Sequence, residues 1–109
     1  MEITTRSEQE VTVVDISGSL DTQTSGPASE QLTDIANNAS SMLLNLAHLE
    51  FLSSAGLRVL LRTAKQLSKA DGVIKVCGAT GTVKEVLEIS GFHNFLDLFD
   101  TEDQALAAF

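Results

Sequence analysis

The chain reads as an α/β fold: one domain, residues 1–109, with a mixed sheet of about five strands covered by about four helices. Three observations predict it. Short apolar runs alternate with segments of helical period, in the order strand, strand, helix, strand, helix, strand, helix, strand, helix. No linker, low-complexity tract or repeat interrupts the chain. At 109 residues it has a single-domain length, able to bury roughly two-thirds of its unfolded surface and so to hold a core without staples.

Taken in order, Ile3 and Thr5, then Val11, Val13, Val14 and Ile16, form two strands, with the polar Arg6 to Glu10 as a hairpin connection. Ser17 to Pro27 follows as a loop. Pro27 fits the first turn of a helix with apolar positions Ala28, Leu32, Ile35 and Ala36, because no backbone donor is needed there. That helix ends near Asn37 or Asn38. Met42 to Leu46 and, after the turn Ala70–Asp71–Gly72, Val73 to Cys77 are short apolar runs of buried strands. Between them Leu57, Leu60, Leu61, Ala64 and Leu67 share one helical face, with Val59 off it. Thr82 and Glu85 have capping-box spacing and open a helix through Val86, Leu87 and Ile89 that Gly91 terminates. Phe95 to Phe99 is a final strand, and Thr101 with Gln104 caps a last short helix.

Composition narrows the function classes. Seven Lys plus Arg stand against fifteen Asp plus Glu, which argues against neutralising a nucleic-acid backbone and leaves protein as the expected partner. With no signal-like N-terminus and no apolar run near the ~20 residues of a membrane span, the expectation is a cytoplasmic protein without membrane insertion. The single cysteine, Cys77, excludes an intrachain disulfide and reads as a small core residue. His48 and His93 stand far apart with no neighbouring Cys or His, so no metal is expected. Cys77 to Val86 looks like a dinucleotide-binding turn, but Lys84 occupies the third glycine position and too little chain follows for that fold.

Two features invite a functional reading. Ser53 and Ser54 lie where an apolar run enters a helix. Ser54, three residues before Leu57, has the spacing of an N-cap. The same serines, followed by the small Ala55 and Gly56, could instead display a hydroxyl where exposed N–H groups favour a phosphate. The second feature is basic. Arg58, Arg62, Lys65 and Lys69 fall in one narrow stripe, and Leu57 to Lys69 holds no acidic residue. The stripe is either a solvated face or a patch that steers an acidic partner.

The segment "LLNLAHLEFLSSAGLRVLL", Leu43 to Leu61, resembles the signature of the STAS domain, the fold of bacterial anti-sigma factor antagonists. There a strand leads through a D-S-S-G-L or S-S-A-G-L type loop into a helix. "ISGSLD", Ile16 to Asp21, is similar to that family's second strand and turn, and Ile89 to Phe109 to its C-terminal region. The resemblance implies that Ser54 is the phosphate acceptor, with Ser53, which stands in place of the loop aspartate, as the alternative. Asn45 stands where a third-strand aspartate is common. Asp21, Thr22 and Thr24, together with Ser53, Ala55, Gly56, Leu57, Arg58 and Arg62, are the implied partner-contact residues.

On this resemblance the unphosphorylated protein binds an anti-sigma factor that is also a serine kinase, releasing a sigma factor. Phosphorylation at Ser54 breaks the complex, and a serine phosphatase resets it. ATP and magnesium belong to the kinase, so neither cofactor nor catalysis is expected of this chain. The alternative is an adaptor or scaffold STAS subunit, in a stressosome-like or lipid-transport assembly, not controlled by phosphorylation.

Overall fold

Val13 and Val14 are neighbours in sequence, yet both are fully buried. Successive side chains of a strand point to opposite faces, so the sheet that holds them carries an apolar layer on each side. In this computed structural model, which describes residues 1–109, they lie on β2 (Val11–Leu20). It pairs antiparallel with β1 (Glu2–Glu8) and parallel with β3 (Ser41–Asn45). A further strand, β4 (Leu49–Leu52), pairs parallel with the C-terminal end of β2. β5 (Val73–Cys77) and β6 (Leu98–Phe99) continue the sheet beyond β3, both parallel, giving the order β1-β2-β3-β5-β6 with β4 off that path.

Three helices, α1 (Ser25–Asn37), α2 (Ser54–Lys69) and α3 (Gly81–Ile89), bury the larger core. Val14, Ile16, Met42, Leu44 and Val76 of the sheet meet Leu32, Leu60, Leu67 and Leu87 there. The opposite face is covered by α4 (Glu102–Ala107), whose Ala105 and Leu106 close a smaller core over Val11, Val13, Leu43 and Cys77. Burial there pushes the Cys77 thiol up to about 11, with the Glu102 and Asp15 charges adding to the effect, so at neutral pH it is an inert core group.

A charged clamp holds α4 in place. Arg6 on β1 donates from Nε to Asp15 at 2.8 Å and from Nη1 to Glu102 at 3.0 Å, with a further Nη2 contact to Glu102. Those hydrogen bonds, first to Glu102 and then to Asp15, raise the Arg6 pKa, while Arg6 holds the Glu102 carboxyl below its ordinary range. Asn45 Nδ2 also donates to Glu102, at 3.1 Å, while its Oδ1 accepts from Ala47 N. An aspartate at position 45 would instead set a third carboxylate beside Glu102 and Asp15.

Several expected boundaries move. The sheet has six strands, because Leu49–Leu52, expected as part of the connection to α2, pairs with β2. β2 runs through Ser17 to Leu20, so the loop before α1 shrinks to Asp21–Thr24. The hairpin turn is only Gln9–Glu10, both at positive φ, with Arg6 to Glu8 inside β1. α3 begins at Gly81, after an N-cap Thr80 that makes no side-chain cap bond, so Thr82 lies inside it, and Phe95 to Phe99 yields strand only at Leu98–Phe99, after a 3₁₀ turn at Phe92–Asn94. Val59, placed off the apolar face, is buried. The buried face of α2 is wide enough to include Gly56, Val59 and Thr63, whose hydroxyl donates to Val59 O.

Candidate functional site

The parallel strands β2 and β4 end side by side, at Leu20 and Leu52. Ser53 N donates to Leu20 O at 3.0 Å, which ties the start of α2 to the loop that follows β2. The N-cap of α2 is Ser53, not Ser54: its backbone is extended, with φ −88° and ψ 173°, and its Oγ accepts from Gly56 N at 3.1 Å. Its carbonyl accepts from Leu57 N at 2.8 Å. Ser54 is thereby released from capping. It is the first residue of the helix, exposed, and its hydroxyl has no partner in the chain.

Gly56 is small for a reason of packing. A Cβ there would sit 2.5 Å from Leu20 O and 2.8 Å from Leu20 Cγ, so only glycine lets the first turn of α2 rest on the end of β2. Ala55 and Leu57 are half-buried beside it.

Across from this turn, Asp21 Oδ1 accepts from Gln23 N at 2.9 Å and from Thr24 N at 3.1 Å, an Asx turn that shapes the loop. Thr24 Oγ1 donates to Ser19 O and accepts from Asp21 N, both at 2.9 Å. Asp21 and Thr24 therefore fix the loop, while Thr22 is exposed at its tip. The bond between Leu20 and Ser53 brings this loop and the paired serines onto one surface.

Beyond Ser54, Arg58, Arg62, Lys65 and Lys69 are all exposed, and none forms an ion pair within the chain. Arg62 Nη1 donates to Ser29 Oγ on α1 at 3.2 Å, so it also joins the two helices. Ser54 and Arg58 are i and i+4, on the same helical side, and Ser54 therefore heads the stripe. No group of three or more His, Cys, Asp or Glu is disposed to hold a metal. No helix is long and apolar enough to cross a membrane.

The STAS domain family model matches residues 2–105. This chain belongs to the STAS domain family. Among curated relatives, it is 43% identical over 68 residues to BtrV of Bordetella bronchiseptica, a protein assigned to the anti-sigma factor antagonists. That match covers 62% of this chain and 59% of BtrV. It is 31% identical over 98 residues to the anti-sigma F factor antagonist of Paenibacillus polymyxa, covering 88% of this chain and 84% of the relative. Among solved structures, an anti-sigma factor antagonist from Mycobacterium paratuberculosis superposes with a TM-score of 0.90 at 26% identity, covering 98% of this chain and 92% of that one.

The sequence alone located the serine junction but placed its helix cap one residue late, on Ser54. Spacing to the first apolar position pointed to Ser54 as the cap, whereas an Oγ accepting from the residue three places on is Ser53 to Gly56. Counting back from Gly56 instead of Leu57 would have found it.

Proposed function

We propose that this STAS domain is an anti-sigma factor antagonist that switches partners through the phosphorylation state of Ser54. The observation that carries the reading is the division of labour at the start of α2: Ser53 caps the helix and Ser54 offers a free, exposed hydroxyl. A kinase can therefore modify Ser54 without dismantling the cap.

The unphosphorylated surface, Asp21, Thr22 and Thr24 with Ser53 to Arg58 and Arg62, binds an anti-sigma factor that is also a serine kinase. A phosphate on Ser54 places nearly two negative charges at the N-terminus of a 16-residue helix. The helix dipole and the N–H groups of the first turn stabilise it there, so the fold tolerates the change. Arg58, one turn on, comes within reach of the same phosphate, which masks the head of the basic stripe. Binding is lost because a strongly hydrated dianion must be desolvated at the interface and because the stripe no longer presents its full charge. A serine phosphatase restores the binding form. ATP and magnesium are the kinase's, and the chain itself acts as a cytoplasmic binding module without catalysis.

Intact-mass measurement after incubation with the cognate kinase and ATP tests this. One phosphate is expected on the wild type and none on Ser54→Ala. A wild type that binds the kinase yet gains no phosphate would replace the switch with an unmodified adaptor role.

A further inference from the structure

The sheet ends on an edge that is only half covered. β6 pairs with Val76 and Cys77 alone, leaving Val73 to Lys75 of β5 without a neighbour on that side. Backbone groups along a strand face alternate edges. Val73 N donates inward to Ser40 O, whereas Val76 N donates outward to Asp97 O. Ile74, in phase with Val76, therefore aims its N–H and C=O outward, where no backbone bond reaches them. Beside this edge is a groove of about 460 Å³ walled by Leu61, Ala64 and Lys65 of α2 and by Phe95 and Leu96. Phe95 is 74% exposed and Val73 45%.

Lysine on an edge strand normally deters pairing with another chain. Here that guard is turned away. Lys75 Nζ is held by Asp97 at 3.2 Å and lies 5.7 and 5.5 Å from the Phe99 and Phe109 ring centres, on the α4 side of the sheet.

We propose that this edge is a docking site for an extended segment of a partner protein, which adds to β5 as a short strand and carries apolar and acidic residues two positions apart, so that both lie on its groove-facing side. Its backbone would pair with Ile74, its apolar side chains would enter the groove against Leu61 and Phe95, and its acidic residue would meet Lys65. Charge selects this occupant. Lys65 has no ion pair, Lys69 follows it on the same stripe, and α2 offers no acidic residue after Leu57. A second copy of the chain, at net charge −8, would be repelled overall. The nearest groove residue on α2, Leu61, is seven positions beyond Ser54, about 10 Å along the axis. The groove is thus a second contact surface, independent of the phosphorylation reading.

The test selects phage-displayed random short peptides on the full wild-type chain, with Phe95→Asp as the counter-selection target. Selected peptides should carry apolar and acidic residues two positions apart and shift the Ile74 amide resonance on titration. Methylating the peptide nitrogen that faces Ile74 O should weaken binding about tenfold, and Lys65→Glu should do the same, since each removes one contact. Phe95 and Lys65 are both exposed, so neither variant disturbs the core, and Lys65→Glu suffices if Phe95→Asp folds poorly. Failure to select any peptide that distinguishes wild type from the groove variant overturns the proposal. So does binding indifferent to backbone methylation. Self-association of the wild type that Phe95→Asp abolishes would reassign the edge to a second copy.

Discussion

Gly56→Ala is the sharpest test of how the site is built. The added methyl would lie 2.5 Å from Leu20 O, 2.8 Å from Leu20 Cγ and 3.0 Å from Leu52 Cδ1. The first of these is about 1 Å short of an ordinary contact, and it is a backbone atom that cannot rotate away. That carbonyl also accepts from Ser53 N, so relief requires lifting the first turn of α2 off β2 or loosening the β2–β4 pairing. Overpacking of this kind costs about 1–3 kcal/mol. Replacing glycine by alanine in a helix recovers up to about 1 kcal/mol, less in the first turn. The net loss is about 1–2 kcal/mol, or roughly 5–15 °C in Tm for a domain of this size. Thermal unfolding followed by circular dichroism measures it. Gly26→Ala is the internal control, because nothing lies within 4 Å of a Cβ there; it should leave Tm unchanged or raise it. A Gly56→Ala variant that melts at or above the wild type would refute the close approach of α2 to Leu20.

Other consequences follow from the same geometry. Urea unfolding should show Ser53→Ala losing about 1 kcal/mol, the cost of a cap, and Ser54→Ala only a few tenths; equal losses would undo the assignment of the cap. Because Arg6 holds the Glu102 carboxyl below its ordinary range, that group contributes stability above its unfolded pKa and loses it as the pH falls through its folded value. Glu102→Gln should therefore flatten the acid limb of a stability–pH curve, and an unchanged limb would count against the clamp. Arg58→Glu with Arg62→Glu should slow association with the kinase in stopped-flow mixing, and the wild-type rate should fall with added salt. A rate insensitive to both would make the stripe a solvated face.

The sequence announced the fold through alternation and period, and these are visible wherever one face of an element is buried. Met42 to Leu46 and Val73 to Cys77 read as strands as short continuous apolar runs, because the sheet is covered on both faces. β4 did not, because Glu50 and Phe51 both lie exposed between buried Leu49 and Leu52, which breaks the alternation. Val59 was misplaced because α2 packs against both the sheet and α1, so its buried arc is wider than a single stripe. At the site, the junction serines, the glycine and the Asp21–Thr24 loop were legible as residues. Their roles were not, since capping depends on backbone φ and ψ and the need for Gly56 depends on Leu20, thirty-six positions earlier. The Arg6–Glu102 clamp was invisible for the same cause: it joins the two ends of the chain.

Under the proposed switch, the charge state of one side chain, Ser54, decides whether the partner binds. Isothermal titration of a single anti-sigma kinase with the unphosphorylated chain and with the same chain carrying phosphate on Ser54 measures that directly. A tight complex is expected for the first and an affinity at least about a hundredfold weaker for the second, a difference of about 2.7 kcal/mol. Both forms should show the same far-ultraviolet circular dichroism, because the cap on Ser53 is untouched. Equal affinities for the two forms would contradict the switch.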